Sequence, residues 1–324
     1  MKKVRYRKGE FLLEVIRLRF PYKHTSREYP PLAIALGYFD GVHRGHQQVI
    51  LEAKKQAEEK GISSAVMTFD PHPSVVLGKT DMQIQYITPL TEKIKIIEKL
   101  AIDYLFIIHF STEFANLLPQ EFIDQYVIGL NVSHVVAGFD FSYGRMGKGT
   151  METLPFHSRD KFSYTVVPKF TQDDDKVSST RIRTLLKDGK TNELLPLLGR
   201  YYTTSGIVIH GDKRGRTIGF PTANVDLYDE YIIPPLGVYA VRMKVNDKWY
   251  NGVCNIVFKP TFNKEALHPS VEVHLFDFSE DIYGEEVTIE WHLHLRKEQK
   301  FSGIEELVAQ IERDKQNSLI YFNK

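Results

Sequence analysis

Cysteine is almost missing: there is one, Cys254, among 324 residues. A lone cysteine excludes an intramolecular disulfide and any zinc site built from several cysteines, and it fits a reducing compartment. Cys254 itself reads as a small buried apolar residue. An excess of charge is missing too, with 42 Lys and Arg against 41 Asp and Glu and a formal net charge of +1. No overall field therefore draws the chain onto nucleic acid or an anionic membrane, and neither partner is expected. No apolar run reaches the ~18 residues of a membrane span. The start, Met1-Lys2-Lys3-Val4-Arg5, is basic, but Glu14, Arg17 and Arg19 interrupt any apolar signal-peptide core and no small-residue cleavage site follows. The cytoplasm is the expected location. Repeats of fixed period and low-complexity tracts are also lacking.

What is present suffices for two hydrophobic cores. At roughly 150 residues per domain the length implies about two domains, and the 42% hydrophobic, 26% charged composition is that of a globular protein. In the first half, short apolar runs alternate with helix-like stretches. Strands are expected at 32–36, 64–69, 104–108 and 134–137, and helices at 46–59, 91–100 and 119–128. That alternation implies a parallel sheet with crossover helices and a ligand site at the C-terminal edge of its strands. From about Gly206 the segments become short and rich in β-branched and aromatic residues, at 206–210, 237–245, 249–256, 270–276 and 287–295. A mostly antiparallel barrel or sandwich fits, closed by a helix from Gly303 to about Lys315. The stretch 178–198 reads as helical with a break at Asp188-Gly189, and the boundary is set at 186/187.

The loop after the first strand of this pattern reads Gly37-Tyr38-Phe39-Asp40-Gly41-Val42-His43-Arg44-Gly45-His46. His43 and His46, three apart at a helix start, share one face. A helix N-terminus offers unpaired N–H groups and partial positive charge, so with two imidazoles it can hold a triphosphate. A metal pair is the poorer reading, because zinc-binding helices place His at i and i+4 and need a third ligand. Gly144-Arg145-Met146-Gly147-Lys148-Gly149-Thr150 is not a Walker A loop, since Gly follows the Lys and Ser142 takes the place of the first glycine. A flexible basic loop over a phosphate or flavin site is expected there instead.

The second half holds Gly211-Asp212-Lys213-Arg214-Gly215-Arg216-Thr217-Ile218-Gly219-Phe220-Pro221-Thr222-Ala223-Asn224. Dense glycines let backbone approach phosphates, Lys213, Arg214 and Arg216 balance their charge, and the Thr222 hydroxyl and Asn224 amide oxygen are suitable donors for Mg²⁺. A solvated basic turn is the plain alternative. His292 and His294 alternate with Trp291, Leu293 and Leu295, which puts both histidines on a solvated strand face.

Taken together these motifs resemble those of the bifunctional bacterial riboflavin kinase/FAD synthetases. Phe39 to His46 resembles the HxGH signature of nucleotidylyltransferases. Thr68-Phe69-Asp70-Pro71-His72-Pro73, Gly138-Phe139-Asp140-Phe141-Ser142-Tyr143-Gly144 and Val177-Ser178-Ser179-Thr180-Arg181-Ile182-Arg183 follow in the family's order. Pro221-Thr222-Ala223-Asn224 resembles the riboflavin kinase PTAN signature, followed by Gly237-Val238-Tyr239, Pro260-Thr261-Phe262, Val271 to Phe278, Asp281 to Gly284 and Leu295 to Phe301. The resemblance runs from about Leu32 to Lys315. It implies an α/β nucleotidylyltransferase domain, Rossmann-like with a parallel sheet, over 1–186, followed by a β-barrel riboflavin kinase domain with a C-terminal helix over 187–324.

The activities it implies are phosphorylation of riboflavin by ATP to FMN in the second domain and adenylylation of FMN to FAD in the first, with pyrophosphate released. By the same resemblance Glu272 is the kinase base, and His43 and His46 stabilise the transferring phosphates. Gly37, Phe39, Asp40, Gly45, Ser178, Ser179 and Arg183 then bind ATP in the first domain, and Gly211, Lys213, Gly215, Arg216, Gly219 and Pro221 bind it in the second. Asp140, Phe141 and Arg296 meet the flavin, and Thr222 and Asn224 hold Mg²⁺. A homo-oligomer is compatible with the sequence, which fixes no stoichiometry.

Three positions depart from the family pattern. Tyr38 stands where many members have Asn, Asp140 replaces an Asn, and Val257 stands where a Gly commonly precedes the Pro-Thr-Phe element. A β-branched residue takes positive φ only at a cost, so Val257 threatens the kinase if that Gly used it. Two other readings follow: one module alone is active, or the chain is a flavin-binding regulator that has kept its ligand sites.

Overall fold

A computed structural model describes the chain except residues 1, 9–10, 23–27, 79–84, 212–213, 229, 259–268 and 324. The chain forms two compact units, 1–179 and 180–324. In the first, seven strands make one sheet: β1 Lys2–Lys8, β2 Phe11–Leu18, β3 Leu32–Leu36, β4 Ser63–Asp70, β5 Tyr104–His109, β6 Val132–Gly138 and β7 Ser163–Val167. Their order is β1-β2-β5-β4-β3-β6-β7, with β1 antiparallel to β2 and every other pairing parallel. The chain leaves β3 toward β4 on one side and later returns to β6 on the other, so the open crevice lies at the C-terminal end of β3.

Both faces of the central strands β3 to β6 are covered, which is why these strands read as nearly continuous apolar runs rather than alternating ones. Helix α1, Arg44–Lys60, and helix α2, Leu90–Lys99, press Val49, Ile50, Ala53, Ile94 and Ile97 onto Ala35, Val66 and Leu105. The other face carries Leu36, Met67 and Phe106 against Phe114, Phe122 and Tyr126. Gly61 in the left-handed conformation closes α1. The expected helix at 119–128 is one α turn, Pro119–Phe122, continued as a π-helical stretch, Ile123–Ile128. The expected flexible basic loop is instead an ordered hairpin: Ser142–Tyr143 pairs with Gly149–Thr150, and Arg145 N–H donates to Leu117 O at 2.6 Å.

The second unit opens with α3, Ser179–Lys187, and centres on a closed antiparallel barrel. Its strands are β8 Tyr202–Ile209, β9 Ala223–Leu227, β10 Gly237–Val245, β11 Lys248–Phe258, β12 Pro269–Leu275 and β13 Glu286–Arg296, in the order β8-β9-β12-β11-β10-β13. Trp291 and Tyr239 meet edge to face in the core, and the Trp291 indole N–H donates to Thr204 Oγ1 at 3.0 Å. Helix α4, Ile304–Phe322, runs further than the expected end at Lys315. Its later buried positions are polar, Asp314 and Ser318, so no apolar stripe marks them; Ser318 Oγ instead donates to Gly252 O at 3.1 Å.

Two sequence expectations fail on backbone geometry. His292 and His294 do not share a solvated face: β13 pairs Leu293 with Ala240 but Trp291 with Val241, a bulge at His292, and His292 is 1% exposed, covered by Tyr201 and by Tyr321 and Phe322 of α4. Val257 needs no positive φ, because it sits in the regular β11–β12 ladder opposite Ser270. A β-branched residue suits such a position, so Val257→Gly is expected to destabilise the barrel by about 1 kcal/mol. A lower calorimetric unfolding midpoint for the variant checks this; an equal or higher midpoint contradicts it.

Candidate functional site

In the first unit the chain leaves β3 at Gly37, where a Cβ would come within 2.7 Å of the Phe39 ring. Only glycine fits this close approach. The turn then runs through three residues of positive φ, Phe39 at 57, Gly41 at 84 and Val42 at 39. Such backbone persists only where surrounding contacts fix it. Asp40 supplies one such contact: its buried carboxylate accepts from Thr88 N at 3.1 Å, and its carbonyl accepts from Ser179 Oγ at 2.9 Å. Its carboxylate therefore faces the 87–88 backbone, where sequence reasoning had it binding ATP.

His43 caps α1, its Nδ1 accepting from His46 N at 3.2 Å, so as a neutral ring its proton sits on Nε2. The two imidazoles stack at 3.5 Å, and Gly45 leaves room, since a Cβ there would sit 3.2 Å from the His43 ring. Burial, then the neighbouring His43, Lys93 and Lys176, hold His46 well below the ordinary histidine range. His46 is thus neutral, and its buried Nδ1 has no hydrogen-bond partner among the described residues. A cavity of about 480 Å³ opens beside it, bounded by Gly37, Phe39, His46, Asp140 and Phe141 among others. Asp140 Oδ2 accepts from Lys176 Nζ at 2.6 Å. Of the remaining expected phosphate residues, Ser178 and Ser179 close the first unit, while Arg183 lies on α3 in the second.

One residue of this centre escaped sequence reasoning. Lys93, on α2, is 2% exposed; its Nζ donates to Tyr38 O at 2.8 Å and to Thr68 Oγ1 at 3.3 Å. Burial pulls its pKa down to about 8, against the opposing pull of Asp40 and Asp70. A lysine four residues before Ile97, in the stripe that should be apolar, was the available signal.

In the barrel, β12 carries Glu272 between two asparagines, Asn224 on β9 and Asn255 on β11. Strand alternation sends Val271, Val273 and Leu275 into the core and Glu272 and His274 to a cavity of about 270 Å³. Apolar side chains including Phe220, Val253, Phe301 and Ile311 wall this cavity, and Arg296 borders it. The Arg296 guanidinium is held by buried Asp314 through Nε and Nη2, at 3.0 and 2.8 Å. A second cavity, about 400 Å³, is bounded by Arg216, Pro221, Phe278, Asp281 and Tyr283, and Thr222 lines both. His274 Nδ1 donates to Pro221 O at 2.8 Å, tying the Glu272 strand to the segment before Thr222.

The glycine-rich segment is not loop throughout. Arg214–Thr217 forms a helical turn, with Gly215 O accepting from Phe220 N at 2.8 Å, and Asn224 belongs to β9. Gly211 lies so close that a Cβ would sit 2.1 Å from the Asn224 amide, and Gly219 adopts φ 88. Lys213 and the Pro260-Thr261-Phe262 element lie outside the described residues. Among the described residues no three or more His, Cys, Asp or Glu converge as a metal site. Thr222, Asn224 and Glu272 offer oxygen donors only, which suits Mg²⁺ completed by substrate phosphate and water.

Comparison with known proteins gives the same two-part division. Residues 25–181 match the FAD synthetase family profile and 198–322 the riboflavin kinase profile. A bifunctional riboflavin kinase/FMN adenylyltransferase of Bacillus subtilis (strain 168) is 54% identical over 312 residues, 96% of this chain and 99% of that protein. One of the same name from Listeria monocytogenes is 50% identical over 314 residues, again 96% and 99%. Among solved structures, a protein named as a macrolide-efflux protein of Streptococcus pneumoniae superimposes with a TM-score of 0.86 at 33% identity, over 94% of this chain and 98% of that one. No described helix of the present chain is long and apolar enough to cross a membrane. With both profiles matched in order and relatives of this identity along almost their whole length, the chain belongs to the bifunctional riboflavin kinase/FMN adenylyltransferase family.

Proposed function

We infer that the chain makes FAD from riboflavin in two ATP-dependent steps, each in its own part, with 187–324 phosphorylating riboflavin and 1–186 adenylylating FMN. The observation that carries the reading is the position of Glu272, which lines one barrel cavity that shares Thr222 with a second. Transfer between two substrates needs adjoining places for both and a base beside the attacking hydroxyl. The isoalloxazine ring fits the wall of Phe220, Val253, Phe301 and Ile311, with Arg296 at its edge. The nucleotide fits beside Arg216, Phe278 and Tyr283, with Gly211, Gly215, Gly219 and Pro221 shaping backbone around its phosphates and Lys213 adding charge.

Glu272 accepts the proton of the ribityl 5′-hydroxyl as that oxygen bonds to the γ-phosphorus and the bond to the departing ADP oxygen breaks. Thr222 Oγ1 and Asn224 Oδ1 would hold Mg²⁺. When bound, the ion neutralises charge on the phosphates. The regular ladder around Val257 removes the reason for treating this part as a decayed module.

In the first part no protein nucleophile is required. An FMN phosphate oxygen bonds to the α-phosphorus of ATP and pyrophosphate leaves, so positioning and charge stabilisation supply the catalysis. His43 and the neutral His46 donate to the phosphates from the α1 N-terminus, while Ser178 and Ser179 grip the polyphosphate. Asp140 and Phe141, bordering the same cavity, meet the FMN.

Two substitutions test the assignment. Glu272→Gln keeps shape but removes the proton acceptor, so riboflavin phosphorylation is expected to collapse while supplied FMN still becomes FAD. His46→Ala removes a preorganised donor and is expected to slow adenylylation by about 10²–10³, with FMN accumulating from riboflavin. Each half-reaction is assayed with its own substrate and flavins separated by chromatography. Loss of adenylylation in Glu272→Gln, or of phosphorylation in His46→Ala, contradicts the two-site reading.

A further inference from the structure

Lys93 is a buried cation that no step above uses. Removing an ammonium group from water costs several kcal/mol unless partners replace the lost hydration, and here the partners belong to the phosphate loop. Nζ donates 2.8 Å to Tyr38 O and 3.3 Å to Thr68 Oγ1, and lies 4.2 Å from the Tyr38 ring centroid. The Thr68 hydroxyl donates to the same Tyr38 carbonyl at 2.8 Å, which leaves its lone pair to accept from the ammonium. Three elements thus converge on one carbonyl: the turn leaving β3, the last residues of β4, and α2. That carbonyl sits between Gly37 and Phe39, where the chain enters the left-handed backbone leading to His43.

We propose that Lys93 is a positioning residue for adenylyl transfer, its charged ammonium pinning the Tyr38 carbonyl so that the turn presents His43 and His46 to the ATP phosphates. This rests on the adenylyltransferase reading of the first unit. An ammonium serves where a neutral donor would not, because a site that receives ATP and FMN together gathers several negative charges, and a fixed buried cation opposes them without reorganising. It also acts on His46, whose imidazole is kept neutral in part by Lys93.

Charged and polar groups face Lys93 from each packed element. Asp40 comes from the turn, Asp70 from the end of β4 and His46 from α1, while Tyr38 covers its side. Asp70 also approaches Arg17 of β2 at 3.9 Å. On α2 itself Glu92 is engaged by Lys95 at 2.7 Å. Burial outweighs the two carboxylates, so Lys93 loses its proton near pH 8 rather than at the usual lysine value of 10.5. The sign of the linked stability is informative. A depressed lysine pKa means that deprotonation favours the folded chain, so the stability contributed by this group increases as pH rises through 8. A fall in activity over that range is therefore not unfolding through Lys93.

The test measures adenylylation of supplied FMN by the full-length wild type, Lys93→Arg and Lys93→Met between roughly pH 7 and pH 9.5, with riboflavin phosphorylation followed on the same samples. For the wild type, adenylylation kcat/KM, which reports the free protein, is expected to fall above about pH 8 along a single titration while that of phosphorylation does not follow it. Lys93→Arg, charged throughout, is expected to keep adenylylation within about tenfold and to lose the fall. Lys93→Met is expected to lose about 10² in kcat with a smaller change in KM. A wild-type profile without that fall, the same fall in Lys93→Arg, or Lys93→Met within about threefold of wild type overturns the proposal. If Lys93→Met does not fold, the wild-type and Lys93→Arg profiles decide alone. A wild type that makes no FAD from FMN at any pH overturns the adenylyltransferase reading itself, an outcome distinct from these.

Discussion

A polyphosphate must be met by fixed donors, and in this chain that requirement falls on one carbonyl, Tyr38 O, at the C-terminal end of β3. It accepts from Lys93 Nζ and Thr68 Oγ1, at 2.8 Å each. The two bonds fix the turn that runs through Phe39 and Val42 in left-handed backbone to the N-terminus of α1. The proposed histidine donors of the first unit hang from that turn. Asp40 ties it to the 87–88 backbone, His43 caps the helix, and His46 stacks on His43 with an unpaired nitrogen. A chain of net charge +1 has no general field to attract nucleotides. Its affinity for them has to be local, built from helix ends and a few buried or half-buried cations.

The barrel solves a related problem by different means. Its proposed base, Glu272, lies on a strand whose neighbours are fixed by register, Asn224 on one side and Asn255 on the other. The period of two separates core from cavity without a special turn, so Val273 fills the interior while Glu272 and His274 face outward. Near Glu272 the irregular backbone lies in the approach to β9. There the glycines permit contacts that a Cβ would block, such as Gly211 against the Asn224 amide. Arg296 stands at the far side of the cavity because Asp314, buried on α4, holds its guanidinium in a fork.

Much of this was legible in the sequence because local patterns encode it. Four of the parallel strands, β3 to β6, announced themselves as apolar runs, whereas β2 and the largely exposed β7 did not, and the glycine-histidine turn could be placed at a helix start from its residues alone. The features that escaped depend on pairing that no local window contains. The β13 bulge at His292 exists only relative to β10, and the burial of Asp314 and Ser318 is set by the barrel they face. Strand β9 was hidden inside a segment whose glycines read as loop. Lys93 sat in plain view on an amphipathic helix, but its importance comes from a carbonyl fifty-five residues earlier. Val257 shows the reverse error, a departure from a family pattern that looked costly until its ordinary strand geometry was known.

The central claim is that one chain carries two complete and successive chemistries. The most direct measurement is a time course of the purified protein with riboflavin, ATP and Mg²⁺, resolving the flavins by chromatography. FMN should appear first and FAD after it, with ADP and then pyrophosphate as the accompanying products. Accumulation of FMN with no FAD, even when FMN is supplied, or no phosphorylation of riboflavin at all, would contradict the account.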